Sequence, residues 1–371
     1  MKSGARVLIA AGGSGGHIFP AIALANALKS GKAGEVRFVG SNKALDRRIF
    51  DKESFRYYLL SANKLPYKAS SGLIIFFAKL LLDIVKAFFI IVSYRPGAVV
   101  GFGGYVSFPV VFVSHIFRIP CVVHEQNVVP GRANKFLFKY AKRIAITFEE
   151  TRKFLAPADI SKAVLTGNPI RREMFKDDRS SGITRFGLDK NKFTVLVIGG
   201  SQGAHFLNKT FVQAVSLLDE KLRSTMQVIH LTGVKDYESM MRSYQRLGPF
   251  EHRVHSFVDR MEEAYSASDL IVTRSGASAL FEIAFFGRPM ILVPYPFAAS
   301  HQTENARVFS RKGAAIEIDE GSLTPGLFKE TLTGLLNNSS RLKKLSEEVR
   351  LFSAPEASEK LAREVLDLEE I

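Results

Sequence analysis

The chain alternates short, β-branched apolar runs with longer stretches whose apolar residues recur at helical spacing. That alternation predicts an α/β architecture on parallel sheets, whose strands are apolar throughout because both faces are covered. The runs Val7–Ala10, Val36–Val39, Ala98–Val100, Cys121–His124 and Arg143–Thr147 are read as strands of the first half. Thr194–Ile198, Gln227–Leu231, Leu270–Thr273, Met290–Val293 and Ala315–Ile318 are read as those of the second. Two runs open alike: Val7-Leu8-Ile9-Ala10 leads into Gly12-Gly13-Ser14-Gly15-Gly16, and Val195-Leu196-Val197-Ile198 into Gly199-Gly200-Ser201-Gln202-Gly203. A strand, glycine turn and helix repeated in each half predicts two tandem Rossmann-like domains. The join falls at Thr166–Arg172, where Gly167-Asn168-Pro169 breaks the pattern. The expected domains are residues 1–165 and 166–371, with the helical tail from position 338 packing back toward the first. Lys176–Lys192 is read as an exposed loop.

One stretch departs from this pattern. Leu73–Val92 is long and apolar, interrupted by Lys79, Asp83 and Lys86, which share one helical face. Charges at mid-span argue against a transmembrane helix and for a helix lying on a membrane surface, with Ile75, Phe76, Leu80, Phe88 and Ile91 as apolar contacts. A core helix of the first domain is the competing reading. Charge adds to the picture. The net charge is +15, and residues 1–165 alone carry 24 Lys and Arg against 9 Asp and Glu, so the whole excess lies in the first half. That half suits a polyanionic partner, an anionic membrane or a nucleic acid, or else presents a basic surface to water. Its aromatic residues cluster in apolar runs and do not alternate with Lys and Arg, which disfavours a nucleic-acid groove. The single cysteine, Cys121, excludes an internal disulfide and a cysteine-based zinc site. Met1–Ala11 reads as a first strand, its apolar run being too short for a signal peptide.

Several turns have the composition of ligand sites. Gly12–Gly16 and Gly199–Gly203 match neither the dinucleotide G-x-G-x-x-G nor the phosphate loop G-x-x-x-x-G-K-[ST], yet both bring backbone amides and a helix N-terminus to where a phosphate could sit. His17, directly after the first turn, has the position of a general base or of a helix cap. Gly101–Ser107 and His124-Glu125-Gln126-Asn127 lie at strand ends, where open α/β sheets bind ligands. Thr273–Ala277 is a further amide-rich turn, and Glu282, about two helical turns on, has the chemistry to take both ribose hydroxyls. His301–Asn305 offers amide and carbonyl groups to a sugar.

Taken together, GGSGGH at 12–17, GFGGYVSFP at 101–109, HEQN at 124–127, GNPIR at 167–171, GGSQGA at 199–204, TRSGA–E at 273–282 and HQTENA at 301–306 closely resemble the bacterial peptidoglycan N-acetylglucosaminyltransferases of the MurG family. The likeness spans roughly residues 10 to 310, and each motif alone is weak. A looser likeness links the chain to plant diacylglycerol galactosyltransferases. The resemblance implies the glycosyltransferase B architecture, two Rossmann-like domains with parallel sheets facing a central cleft. It implies that Ser14, Gly15 and Gly16 face the donor sugar and the acceptor diphosphate, and that Asn127, Arg171 and Ser201 contact the donor. Val258 stands where the family has an isoleucine that meets uracil. Ala277, Ser278, Ala279, Leu280, Phe281 and Glu282 match the phosphate turn and ribose-binding glutamate, and Gln302 matches the glutamine that reads sugar hydroxyls. Departures are Ser14 for threonine, Phe108 for a small residue, and the apolar Leu280-Phe281 pair.

The implied reaction is inverting transfer of N-acetylglucosamine from UDP-GlcNAc to the 4-hydroxyl of undecaprenyl-diphosphate-linked N-acetylmuramoyl-pentapeptide, at the cytoplasmic face of the bacterial membrane. His17 is the first candidate for the base and Glu125 the second. The sequence contains no Asp-x-Asp metal motif, so helix dipoles and amides are expected in place of a metal or other cofactor. The implied partners are UDP-GlcNAc, the lipid-linked acceptor and an anionic membrane, without nucleic acid. The rival readings are a UDP-sugar 2-epimerase, another glycolipid glycosyltransferase of the same fold, and a non-catalytic nucleic-acid binder.

Overall fold

A computed structural model describes residues 4, 6–31, 34–63, 71–175, 178–200, 203–297 and 300–368. The chain divides into two compact units, Met1–Arg171 with Ala354–Ile371, and Arg172–Ser353.

The first unit holds a seven-stranded parallel sheet of β1 (Arg6–Ala10), β2 (Glu35–Ser41), β3 (Tyr57–Leu60), β4 (Ala98–Gly101), β5 (Cys121–Glu125), β6 (Arg143–Ile146) and β7 (Ala163–Leu165), in the order β3-β2-β1-β4-β5-β6-β7. Val7 to Ala11 are wholly buried, as a strand covered on both faces requires. One face is covered by the Gly15–Ser30 helix together with the terminal helix Ala357–Leu366, whose Leu361 and Val365 join the core of Ile9, Ile18 and Phe38. The other is covered by the helices Ser71–Tyr94 and Gly104–Ile116. The sheet order reverses between β1 and β4, and the crevice beyond the carboxyl ends of these strands is the site the topology provides.

The second unit repeats the design with β8 (Phe193–Ile198), β9 (Met226–Leu231), β10 (His252–His255), β11 (Leu270–Thr273), β12 (Met290–Leu292) and β13 (Ile316–Glu317), all parallel, in the order β10-β9-β8-β11-β12-β13. Its switch point lies between β8 and β11. The core gathers Val195, Val197, Phe211, Val228, Val272 and Phe328.

Two expectations are corrected. Lys176–Lys192 is no loop throughout: Arg179–Phe186 is a helix, capped by the Asp178 carboxylate on Ser181 N at 2.9 Å and ended by Gly187 in the left-handed region. Gly182 lets this helix lie against the Met261–Ala267 helix, with Glu263 O at the contact. The Ser71–Tyr94 helix is also turned differently from the reading of its charges. Asp83 points inward, 3 % exposed, and accepts the Ser61 and Ala62 amides at 2.8 and 2.9 Å. Ile91 belongs to the core, and Phe76 and Leu80 are half-buried. The outward face carries Lys79 and Lys86 as expected, together with Ile74, Ile75, Phe77, Leu81, Leu82, Val85, Phe88, Phe89 and Val92. Among the described residues, no helix is long and apolar enough to cross a membrane.

Candidate functional site

In the first unit the β1 turn is fixed by a residue outside every motif. Asp46, wholly buried on the Ala44–Lys52 helix, accepts Gly13 N at 2.9 Å, Ser41 N at 2.8 Å and Ser41 Oγ at 2.7 Å. A Cβ at Gly12 would stand 2.5 Å from that carboxylate and 2.8 Å from Ser41 N, so the close approach demands glycine. Lys43 Nζ donates to Gly13 O at 2.8 Å. The turn delivers exposed Ser14, then Gly15 and Gly16, to the start of the Gly15–Ser30 helix.

His17 lies in the first turn of that helix, half-buried. Its Nδ1 is 3.4 Å from Gly12 O and 3.4 Å from Ser14 Oγ. A carbonyl can only accept, so the proton belongs on Nδ1 and the lone pair on Nε2. Burial holds the imidazole below its ordinary 6.5, against the raising influence of the Gly12 carbonyl and of the Glu125 and Asp46 carboxylates. Gly104, at φ +72°, packs on the ring: a Cβ there would stand 3.6 Å from it.

Glu125, at the end of β5, is 1 % exposed and encircled by donors: Asn127 N at 2.9 Å, Asn127 Nδ2 at 3.1 Å, Gly131 N at 3.0 Å and Asn134 Nδ2 at 2.8 Å. The carboxylate thereby shapes the loop that carries Asn127. His124 is buried, with Nε2 3.1 Å from Gly167 O and Nδ1 accepting from Gln126 Nε2 at 3.0 Å. Arg171 lies over the Phe19 ring at 4.4 Å, beside Gly15, where a Cβ would touch that ring at 3.0 Å. Phe108 stacks on Phe112 at 5.9 Å and packs on Phe136.

In the second unit, Gly276 precedes the Ala277–Phe286 helix, whose first-turn amides have no carbonyl of a preceding turn to bond. No atom lies within 4 Å of where a Cβ at Gly276 would stand, so space is open there. Ser278, Ala279 and Glu282 lie toward solvent, half-buried, and Tyr265 OH donates to Glu282 Oε2 at 3.1 Å. Leu280 and Phe281 do not share that side: they are 0 % and 3 % exposed, and Phe281 packs edge-on against Phe309. Their apolar character serves the core. Val258 is buried and its neighbour Phe257 exposed. Gln302, second residue of the His301–Arg311 helix, accepts Tyr295 N on Oε1 at 2.9 Å, which leaves its NH₂ as the group presented. Ser201 lies outside the described residues.

Two histidines bear on stability. Burial pushes His124 down to about 4 and His230 down to about 3, in each case by desolvating the charged form. Unfolded, both titrate near their ordinary 6.5, so between that pH and the folded value only the unfolded chain takes up the proton. Their contribution to stability is complete above pH 6.5 and is lost as the pH falls toward about 4 for His124 and about 3 for His230. At pH 5 the expected loss is about 2 kcal/mol per histidine. Thermal scans should show a lower Tm at pH 5 than at pH 7.5, with the difference reduced in His230→Gln; a Tm constant over that interval would refute the assignment.

The order of strands and the glycine turns at both switch points define a protein with two Rossmann-type units, the glycosyltransferase B class. Family models agree: residues 7–146 match the glycosyltransferase family 28 N-terminal domain and residues 194–361 its C-terminal domain. The chain is 35 % identical over 368 residues to the UDP-N-acetylglucosamine–N-acetylmuramyl-(pentapeptide) pyrophosphoryl-undecaprenol N-acetylglucosamine transferase of Halothermothrix orenii, covering 98 % of each chain. Among solved structures, MurG of Acinetobacter baumannii superposes with a TM-score of 0.76 at 27 % identity, over 98 % of this chain and 99 % of that one. A UDP-GlcNAc 2-epimerase from Neisseria meningitidis reaches 0.73 at 13 % identity, over 98 % and 100 %, a likeness of fold alone. The chain belongs to glycosyltransferase family 28 and, within it, to the MurG family of N-acetylglucosamine transferases.

Proposed function

We propose that the chain transfers N-acetylglucosamine from UDP-GlcNAc to the 4-hydroxyl of undecaprenyl-diphosphate-linked N-acetylmuramoyl-pentapeptide, with inversion. The observation that carries this reading is full-length similarity to a transferase of that name, joined to a neutral, half-buried His17 whose Nε2 is the basic nitrogen. The acceptor alcohol gives its proton to Nε2 as its oxygen forms the bond to the anomeric carbon and the bond to UDP breaks. Glu125, with four donors on its two oxygens, is read not as the base but as the organiser of Asn127 and a negative neighbour that favours the imidazolium. The departing diphosphate gains charge, and the N-terminus of the Ala277–Phe286 helix supplies fixed amides and a positive dipole end. Glu282 takes the ribose hydroxyls, the backbone around Val258 the uracil, and the Gln302 NH₂ a sugar hydroxyl.

The test is transfer of radiolabel from UDP-GlcNAc in the presence of the lipid-linked acceptor. Label in the organic phase, dependent on acceptor, supports the reading. Label that stays in water as an epimerised nucleotide sugar would favour the epimerase.

The membrane part of the reading rests on the Ser71–Tyr94 helix. Its outward face is joined by exposed Phe117, whose ring lies 5.6 Å from that of Phe88, and the same unit exposes Ile116 and Phe136, with Lys139 over the Phe136 ring at 4.0 Å. Apolar contact plus basic charge suits a peripheral attachment to anionic lipid at the cytoplasmic face. Replacing Phe77, Leu81 and Phe89 by serine is expected to weaken binding to anionic vesicles by about tenfold or more, with sedimentation as the readout. Unaltered binding by the folded variant would remove this face as the contact.

A further inference from the structure

Three segments of the second unit meet around one guanidinium. Arg274, in the turn after β11, is 8 % exposed. Its Nη1 donates to Val293 O at 3.0 Å and lies 3.4 Å from Pro294 O, and its guanidinium stands 5.4 Å from the centre of the Tyr295 ring. Its Nη2 forms an ion pair with Glu320, from the turn after β13. The chain it grips is the one whose Tyr295 N–H donates to Gln302 Oε1. Ser275, next to Arg274, donates through Oγ to Gln302 O at 2.7 Å, so the turn that holds the Val293–Tyr295 segment also holds the Gln302 main chain.

We propose that Glu320, which lies in none of the motifs, is a positioning residue for recognition of the donor sugar. Its carboxylate neutralises and orients Arg274, Arg274 fixes the backbone at Val293–Tyr295, and the Tyr295 amide sets which way the Gln302 side chain faces. A planar guanidinium can make these contacts at once, which a lysine ammonium on a flexible stem does not. Without the carboxylate, Arg274 is a nearly buried cation that gains by turning toward water, and the loop loses its clamp. The Gln302 amide can then rotate, and the site no longer presents an N–H donor in a fixed place. This inference rests on the reading of Gln302 as the group that meets a sugar hydroxyl.

The experiment compares wild type with Glu320→Ala, Glu320→Gln, Gln302→Ala and the Glu320→Ala/Gln302→Ala pair, each checked for folding by thermal melting. The readouts are kcat, KM for UDP-GlcNAc and inhibition by UDP, which lacks the sugar. Glu320→Ala is expected to raise KM about tenfold while kcat and UDP inhibition change by no more than about threefold. Glu320→Gln, which keeps the shape but removes the charge, should show most of the same rise in KM, because the contact with Arg274 is an ion pair. The double variant should be no worse than Gln302→Ala alone, since both act on one contact. Should Glu320→Ala fail to fold, Glu320→Gln carries the same comparison, with Glu320→Asp, which keeps the charge, expected to lie closer to wild type. Independent, multiplying effects of the two substitutions would overturn the inference, as would equal losses for UDP-GlcNAc and UDP. A Gln302→Ala enzyme with unchanged KM would remove the sugar contact itself, and the inference with it; a raised KM in Gln302→Ala beside an unaffected Glu320→Ala would remove the inference alone.

Discussion

Replacing His17 by alanine is expected to lower kcat by about 10²-fold or more, the usual contribution of a positioned general base, while KM for UDP-GlcNAc changes little. The split follows from the division of labour. Val258, Glu282 and the start of the Ala277–Phe286 helix, read as gripping uracil, ribose and diphosphate, belong to the second unit, whereas His17 belongs to the first and is assigned to the acceptor alcohol. Burial lowers the imidazole below its ordinary 6.5, so at neutral pH it is unprotonated and ready to accept. The acid limb of the rate profile should therefore fall below pH 6.5 in the wild type and vanish in the variant. Steady-state kinetics over pH, with folding checked by thermal melting, supply the test. A loss of less than about tenfold would exclude His17 as the base.

Glu282→Ala should show the opposite split between kcat and KM. A carboxylate that accepts two ribose hydroxyls makes charge-assisted hydrogen bonds of about 1.5–3 kcal/mol, so KM for UDP-GlcNAc should rise about 10- to 150-fold with kcat within a few-fold of wild type. Inhibition by UDP should weaken in parallel, because UDP carries the same ribose. That parallel separates Glu282 from Glu320, whose loss is expected to spare UDP. Tyr265, which donates to Glu282 Oε2 at 3.1 Å, should give a smaller effect of the same kind when changed to phenylalanine. Unchanged KM and unchanged UDP inhibition in Glu282→Ala would end the ribose assignment.

The strands that carry the glycine turns are legible in the sequence because they are buried on both faces and so read as unbroken apolar runs. The strands that the pattern hides have no such run or a very short one. β10 is His252-Arg253-Val254-His255, with a single aliphatic side chain, and β3 and β7 are edge strands of four and three residues. The Arg179–Phe186 helix is masked by its serines and by Gly182, a poor helix former whose missing side chain lets the neighbouring helix approach. The orientation of Ser71–Tyr94 escapes the pattern for a physical reason as well. Asp83 has the sequence signature of a solvent-facing charge, but two loop amides give it partners inside.

The candidate site divides along the same line. Residues adjacent to glycine turns can be found because glycine leaves a local signature. Asp46 and Glu320 leave none: each is an ordinary acidic residue in sequence, and each takes its role from a partner far along the chain, Gly13 and Arg274 respectively. Leu280 and Phe281 show the opposite limit, since membership of a matching motif does not reveal that their side chains turn into the core.

The central claim is a single displacement at the anomeric carbon by the lipid-linked alcohol, with His17 taking the proton. Its most direct test is the anomeric configuration of the product made by the purified enzyme from UDP-GlcNAc and the lipid-linked acceptor, read by proton NMR of the new linkage. The account predicts a β linkage, inverted from the α linkage of the donor, with one UDP released per sugar transferred. An α-linked product, or UDP released without a disaccharide on the lipid, would contradict it.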